Sequence, residues 1–509
     1  LYIAPGTTGR ASEWMGPSLG AIPVVLRGQI VGNTMTLVID IDFRSQMDQV
    51  IHVTFGCAPA STETFTDKLV VTINGESCDP QDAAVEVGHL ANGNINFTLN
   101  DFTLDGVGGV GNISLDNLAL DGEGKFSYTG VARIGKGSDS NVQWLGPSLG
   151  DIPLEMRGQI YTYDGTKFLI AVIDIDMQES IQQTIHVTFG VNTVSTKTYT
   201  DDLKVSINGT ATDPERATVT VGTLGNGNIN FMLNDFVLDG SVYVGNIALE
   251  NLEVDENGNF AFNGNTWIAA GSDANVDWMG PTLGSVPLDM RGQFYTYNGT
   301  ECLIVVIDID MTNATLNQMI HVTFGATPVS TENVEGEVEV TVNSVKADPV
   351  PATVTLGTLA NDNINFVLKN FALSSEMYVG NIDLDNLELD KDGHFTYNGV
   401  TRIGAGNLDG VGSEDWIGPN LGNVPLDLTG DLTVNGLKVN ITIDMRDSDL
   451  GQMIYVEFTA TRTVTPAALD EMVRIIVGTE EESKIYDVTG DGHVTLADIT
   501  KLVNIINNK

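Results

Sequence analysis

The chain has 509 residues, with 67 Asp and Glu against 24 Lys and Arg and a net charge of −43. This length allows three or four domains, each able to bury its own core. The acidity argues against nucleic acid and anionic membrane surfaces as partners and suits a soluble secreted protein or one that meets divalent cations. Apolar runs such as Phe168 to Ile173 are too short for a membrane span.

Three signatures recur. A Trp-centred one stands at Trp14, Trp144, Trp278 and Trp416, every 130–138 residues. Ile-His-Val-Thr-Phe-Gly occupies 51–56, 185–190 and 320–325, with a loose copy at Ile454 to Phe458. Val-Gly-Asn-Ile occupies 110–113, 244–247 and 379–382. A period of this length is a whole domain, much longer than a solenoid unit. In chain order, residues 1–57 hold only the last strands of a repeat. Complete repeats are expected at 65–190, 199–325 and 334–460, joined by short Ser/Thr-rich links at 58–64, 191–198 and 326–333. The chain starts at Leu1 inside a repeat and shows no signal peptide, so a processed product or fragment is expected.

Within the repeat at 201–325, Leu203, Val205 and Ile207 alternate with polar residues, as do Val219 and Val221. A turn at Gly225-Asn226-Gly227 leads to Ile229, Phe231 and Leu233 on one face. Along Val244 to Val254 the apolar phase slips at Glu250-Asn251, as a β-bulge requires. Asn257-Gly258 turns into Phe260 and Phe262, and strands follow near 286–296, 301–310 and 317–324. Eight strands joined mostly by short turns predict an antiparallel up-and-down barrel, with a Greek-key sandwich as the alternative.

The long loop at 271–285 is expected to plug one barrel end with Trp278 and Leu283. Asp308 and Asp310 share the polar face of their strand and could hold a cation or act as an acid–base pair, but a solvated strand end is the plainer expectation. The fourth copy has Thr442 for Asp308 and Tyr455 for His321. No nucleophile is tied to His321 by spacing, so it is expected at the surface. Cys302 is expected in the core. Cys57 and Cys78 could pair in an oxidising compartment, although the next repeat carries Val191 and Thr212 there.

Val-Gly-Asn-Ile, Trp-x-Gly-Pro-x-Leu-Gly, Ile-Asp-Ile-Asp and Ile-x-Val-Thr-Phe-Gly together resemble the calycin-like β-barrel domain of Bacteroidetes secreted proteins, over nearly all of 1–460. The resemblance implies a calycin/lipocalin-like barrel and an extracellular or cell-surface setting, but no biochemical activity. The lipocalin Gly-x-Trp signature belongs to the first strand, whereas this Trp follows the fifth, so no lipocalin ligand site is carried over.

After residue 460 the period becomes helical: Leu469, Met472, Val473 and Ile476, then Ile499, Leu502, Val503 and Ile506. Between them, residues 487–498 fit a twelve-residue calcium loop. Asp487, Thr489 and Asp491 take positions one, three and five, and Gly492 makes the turn at six. His493 offers its carbonyl at seven and Asp498 closes the loop. Oxygen ligands converging on one hard cation point to Ca2+. The Asp at twelve and the run Val494 to Ile499 resemble a type I dockerin. A shift of thirty residues places the partner loop at Glu457, Thr459, Thr461 and Ala468, with Arg462 where the glycine belongs. The first loop is therefore expected to be metal-free, and 461–509 a helical module. The resemblance implies tethering to a cohesin-like partner; capping the chain end is the alternative.

The composite expectation is a non-catalytic secreted or cell-surface binding and display protein with no membrane span and one calcium site. A lipocalin-like carrier of small apolar ligands and an accessory component of a carbohydrate-degrading complex are the alternatives. No acidic pair stands apart from the repeat pattern to support an enzyme, and a small-molecule or glycan ligand has no assigned residues.

Overall fold

The computed structural model describes residues 2–8, 14–47, 49–104, 108–312, 318–374, 377–446, 451–462, 464 and 466–507. Three large antiparallel sheets and one three-stranded sheet are followed by two helices, Pro466–Ile476 and Leu496–Asn507. The expected mainly-β tandem architecture holds.

In the second complete repeat the main strands are Thr193–Ile207, Glu215–Leu224, Ile229–Leu238, Val242–Leu252, Asn259–Thr266, Val286–Tyr297, Thr300–Met311 and Gln318–Phe324. Sequential neighbours pair antiparallel, and the first strand pairs the last, Val205 opposite Val322, which wraps the sheet into a barrel. The one departure from a plain meander lies between the fourth and fifth strands, which do not form a ladder. The seam is bridged instead by the short strand Ile268–Ala269, which pairs with the fourth strand at Ile247 and Asn246. The other complete repeats have the same strand order. The expected bulge is present: Ile229 faces Leu252 while Phe231 faces Leu249, so the fourth strand carries one extra residue there. Asn251 absorbs it at φ +54°, and its N–H donates to Asn230 Oδ1 at 3.0 Å.

The predicted links are shorter than expected, because their Ser/Thr residues belong to first strands that begin at Ser61, Thr193 and Ser330. β-branched Thr suits a pleated, half-buried surface as well as it suits a loop, so composition alone misplaced the boundary.

Each barrel interior is filled by side chains. In the second, Phe260 lies between Phe231 and Phe294, with ring centroids 6.3 and 5.2 Å away. The Phe260 ring covers Gly292 so closely that a Cβ there would sit 2.3 Å from it. Gly158 beneath Phe126 and Gly430 beneath Phe395 repeat the arrangement. This favours packed barrels over the hollow interior that a carrier needs.

Trp278 does not enter that core. It is half-buried, edge-on to Tyr243 at 5.6 Å, and its ring covers Gly271 while Nε1–H donates to the Asp273 carbonyl at 2.9 Å. The Trp therefore staples its own loop, and Leu283 alone of the expected plug packs against the core. Trp416 in the last barrel is fully buried.

The partial repeat forms the three-stranded sheet Val24–Val31, Thr34–Asp42 and Val50–Phe55. Its Leu26, Met35 and Phe55 are exposed, whereas their counterparts Met290, Leu303 and Phe324 are buried. Cys57, Cys78 and Cys302 are free thiols. Cys57 packs with Val38 and Leu90. Cys302 is half-buried outside the core, because it alternates with the inward-facing Leu303.

Candidate metal centre

The two helices share a small core of Met472, Ile475, Val488, Val494 and Leu502, to which Val464 and the barrel residue Val434 contribute. Val434 N–H donates to the Ile485 carbonyl at 2.7 Å, and Arg462 Nη2 pairs with Glu332 at 2.6 Å, so the module sits on the last barrel. The apolar residues recur at helical spacing because they face this shared core.

Between the helices the loop folds round its acids. Asp487, Asp491 and Asp498 bring one carboxylate oxygen each within 4.8 Å of one another, an all-oxygen set that could hold a metal ion. Gly490 and Gly492 take φ of +79° and +91°, which directs the Gly490 and Gly492 N–H groups onto Asp487 at 2.7 Å each. Asp498 is fully buried and opens the second helix: Thr495 N–H and Oγ1 donate to its Oδ2 at 2.8 and 2.9 Å, while Thr489 N–H reaches Oδ1 at 2.7 Å. Burial alone would raise its pKa, but the hydrogen bonds from Thr489 and Thr495 win and hold it at about 2. It therefore remains a carboxylate at neutral pH, as a cation ligand must.

Of the other loop residues, Thr489 Oγ1 lies 3.2 Å from Asp487 Oδ1. His493 N–H donates to Asp491 at 3.1 Å while its exposed ring faces Glu482 at 3.4 Å, so the backbone is what it offers the loop. Glu482 was missed by the loop pattern because it lies outside the twelve residues; it accepts the Val494 N–H at 2.7 Å. The positions matched to a partner loop, Glu457, Thr459 and Thr461, lie in the strand Gln452–Thr461, and Glu457 pairs with Lys438 at 2.9 Å.

The barrel acids resolve differently from the pattern. Asp308 and Asp310 are not a free pair: Asp310 accepts the Thr312 N–H at 2.9 Å and closes the strand end. Asp308 Oδ1 lies 2.6 Å from His321 Nδ1, and the ring's Nε2 faces Asp385 Oδ2 at 3.1 Å. His321 is therefore not a free surface histidine. Its partner Asp385, 2 % exposed, belongs to the following barrel, a contact that a reading confined to one repeat does not reach. The missed signal is the acid set directly before each bulge Asn: Asp116, Glu250 and Asp385. No described helix is long and apolar enough to cross a membrane.

The fold and site define a tandem-barrel protein with a helical C-terminal region carrying an acidic cluster. The calycin-like beta-barrel domain profile matches residues 62–192, 196–327 and 334–461, and the chain belongs to this family. The family is generally non-catalytic, and the chain is a non-catalytic, multidomain member. No curated protein matches the chain. Among solved structures, it is similar to a tryptophan-to-alanine mutant of the vaccine antigen transferrin binding protein B from Haemophilus parasuis. That match has 11% identity over 87% of this chain and 86% of that one, with a TM-score of 0.15. A protein of unknown function from the DUF3598 family of Nostoc punctiforme matches at 12% identity over 52% and 95%, with a TM-score of 0.16.

Proposed function

We propose that the chain is a secreted or cell-surface binding and display protein, in which a row of barrels carries a calcium-stabilised, dockerin-like docking module at 461–509. The observation that carries this reading is the convergence of Asp487, Asp491 and Asp498 on a glycine-turned loop at a helix start. An oxygen-only set suits the hard cation Ca2+ better than zinc or copper. Thr489 and the His493 carbonyl complete the proposed ligand set. Val473, Val477 and Leu496 leave 47, 65 and 70 % of their surface exposed on and beside the helices, which supports docking to a partner such as a cohesin-like protein over simple capping.

Isothermal titration of the full chain with CaCl2 tests the site. One equivalent should bind, and Asp487→Asn or Asp491→Asn should weaken it at least about tenfold, the order expected from losing one charged ligand. Absence of heat and of any thermal stabilisation by calcium would remove the proposal. Docking is tested by binding to a cohesin panel with and without a chelator.

A further inference from the structure

The seventh strand of a barrel can face water or protein on its outer side, and its sequence tells which. In the first two complete barrels it reads Leu169-Ile170-Ala171-Val172-Ile173 and Leu303-Ile304-Val305-Val306-Ile307, apolar on both faces. Such a run fits a strand covered on both sides. Ile170, Val172, Ile304 and Val306 point away from their own barrel core and are 0 % exposed. In the last barrel the same strand reads Leu437-Lys438-Val439-Asn440-Ile441, with Lys438 and Asn440 exposed. Thr188 and Thr323, buried outward on the eighth strand, become Glu457.

The polar groups follow the same division. His52, His186 and His321 each hold an Asp of their own repeat at 2.6 Å: Asp40, Asp174 and Asp308. Each turns Nε2 to a carboxylate of the next barrel, Asp116 at 3.1 Å, Glu250 at 3.3 Å and Asp385 at 3.1 Å. Arg157 and Arg291 donate to the carbonyls of Glu250 and Asp385 at 3.2 and 3.0 Å. The last barrel has Thr429, Thr442 and Tyr455 at the Arg, Asp and His positions, and Tyr455 is 48 % exposed. Even the turn between the first two strands obeys the rule. Gly209 at φ +81° lies against Gly404 of the next barrel, where a Cβ would come within 2.8 Å of backbone. The last barrel, which is followed by the helical region instead of a barrel, has Ser344 there at φ +70°.

We propose that the outer face of strands six to eight is a docking surface whose partner is the bulge-bearing edge of the following calycin-like repeat. It locks consecutive barrels into a rigid rod, and the last barrel is the terminating copy. Three joints use the surface, and the barrel that leads into the helical region lacks it, so the residues track the neighbour and not the fold.

The test grafts the terminator onto the second barrel of the full chain: Ile304→Lys, Val306→Asn, Asp308→Thr and His321→Tyr, all residues the last barrel carries in a folded state. A second variant, Asp385→Asn, leaves the second barrel untouched. Tyr455→His is the control. Small-angle scattering should give a single extended, rigid particle for the unaltered chain and the control. For both test variants it should give a broadened distance distribution, with proteolysis between residues 325 and 329 accelerated at least tenfold. Circular dichroism reports that the barrels remain folded. Wild-type scattering typical of freely jointed beads overturns the proposal. So does either test variant, folded, that keeps wild-type scattering and protease resistance, or a control that loosens as they do.

Discussion

At the residue scale, two positions show how a small side chain or a single carboxylate fixes its surroundings. Gly292 admits the Phe260 ring, so Gly292→Ala overpacks the second barrel and should lower its stability by about 1–3 kcal/mol, read as an earlier thermal transition. Asp498 accepts from both Thr489 and Thr495 at the start of the last helix. Asp498→Ala without calcium removes that cap and should destabilise the module by about 1–2 kcal/mol in a urea melt followed by helicity. Unchanged melts would show that the two sites relax around the substitution. Both residues were legible to different degrees. The spacing of Asp487, Asp491 and Asp498 was plain because the acidic loop lies within twelve consecutive residues. Gly292 was not singled out, because the ring it accommodates, Phe260, comes from a different strand 32 residues earlier.

At the element scale, the joint between the second and third barrels is held by ionised groups, and its pH limits follow. Burial lowers the His321 pKa, but Asp308 and Asp385 outweigh it and raise it to about 10. Burial raises Asp385, but His321, Lys204 and Arg291 hold it below the ordinary carboxylate value. Asp383, paired with Lys204 at 3.2 Å, is pushed up by burial and by Asp385, so it protonates first as pH falls. Tyr397, raised to about 12 by burial, stays neutral throughout this range. A raised histidine stabilises fully below its unfolded pKa and loses that contribution as pH climbs through the folded value. A depressed carboxylate stabilises above its unfolded pKa and loses it on acidification. The joint should therefore be tightest between about pH 4 and about pH 6.5, weaken progressively above that and lose the His321 contribution by about pH 10, and loosen again below about pH 4. Hydrogen exchange of the amides around Asp385 measures this, and protection fully lost already near pH 6.5 would contradict the assignment. None of this was visible within one repeat: the pattern gave Asp308 and His321 on the polar faces of two successive strands, and the third group, Asp385, lies in the next domain.

At the scale of the whole molecule, the last barrel and the acidic loop fold round separate cores, in contact through Val434 and the Arg462–Glu332 and Lys484–Asp392 pairs. Removing calcium with a chelator should speed hydrogen exchange across 484–507 while leaving the barrel amides unchanged, because metal binding energy is local folding energy. Equal acceleration in the barrels would mean that the module supports them. The sequence alone determined the mainly-β class, the tandem copies, the bulge at Glu250-Asn251 and the acidic loop, because each is written in periods of two, in turns, or in twelve consecutive residues. Tertiary structure decided how the barrels close at the fourth-to-fifth strand seam, that their interiors are filled, and which outer faces meet another barrel. Those depend on groups far apart in the chain meeting in space, which local alternation does not encode.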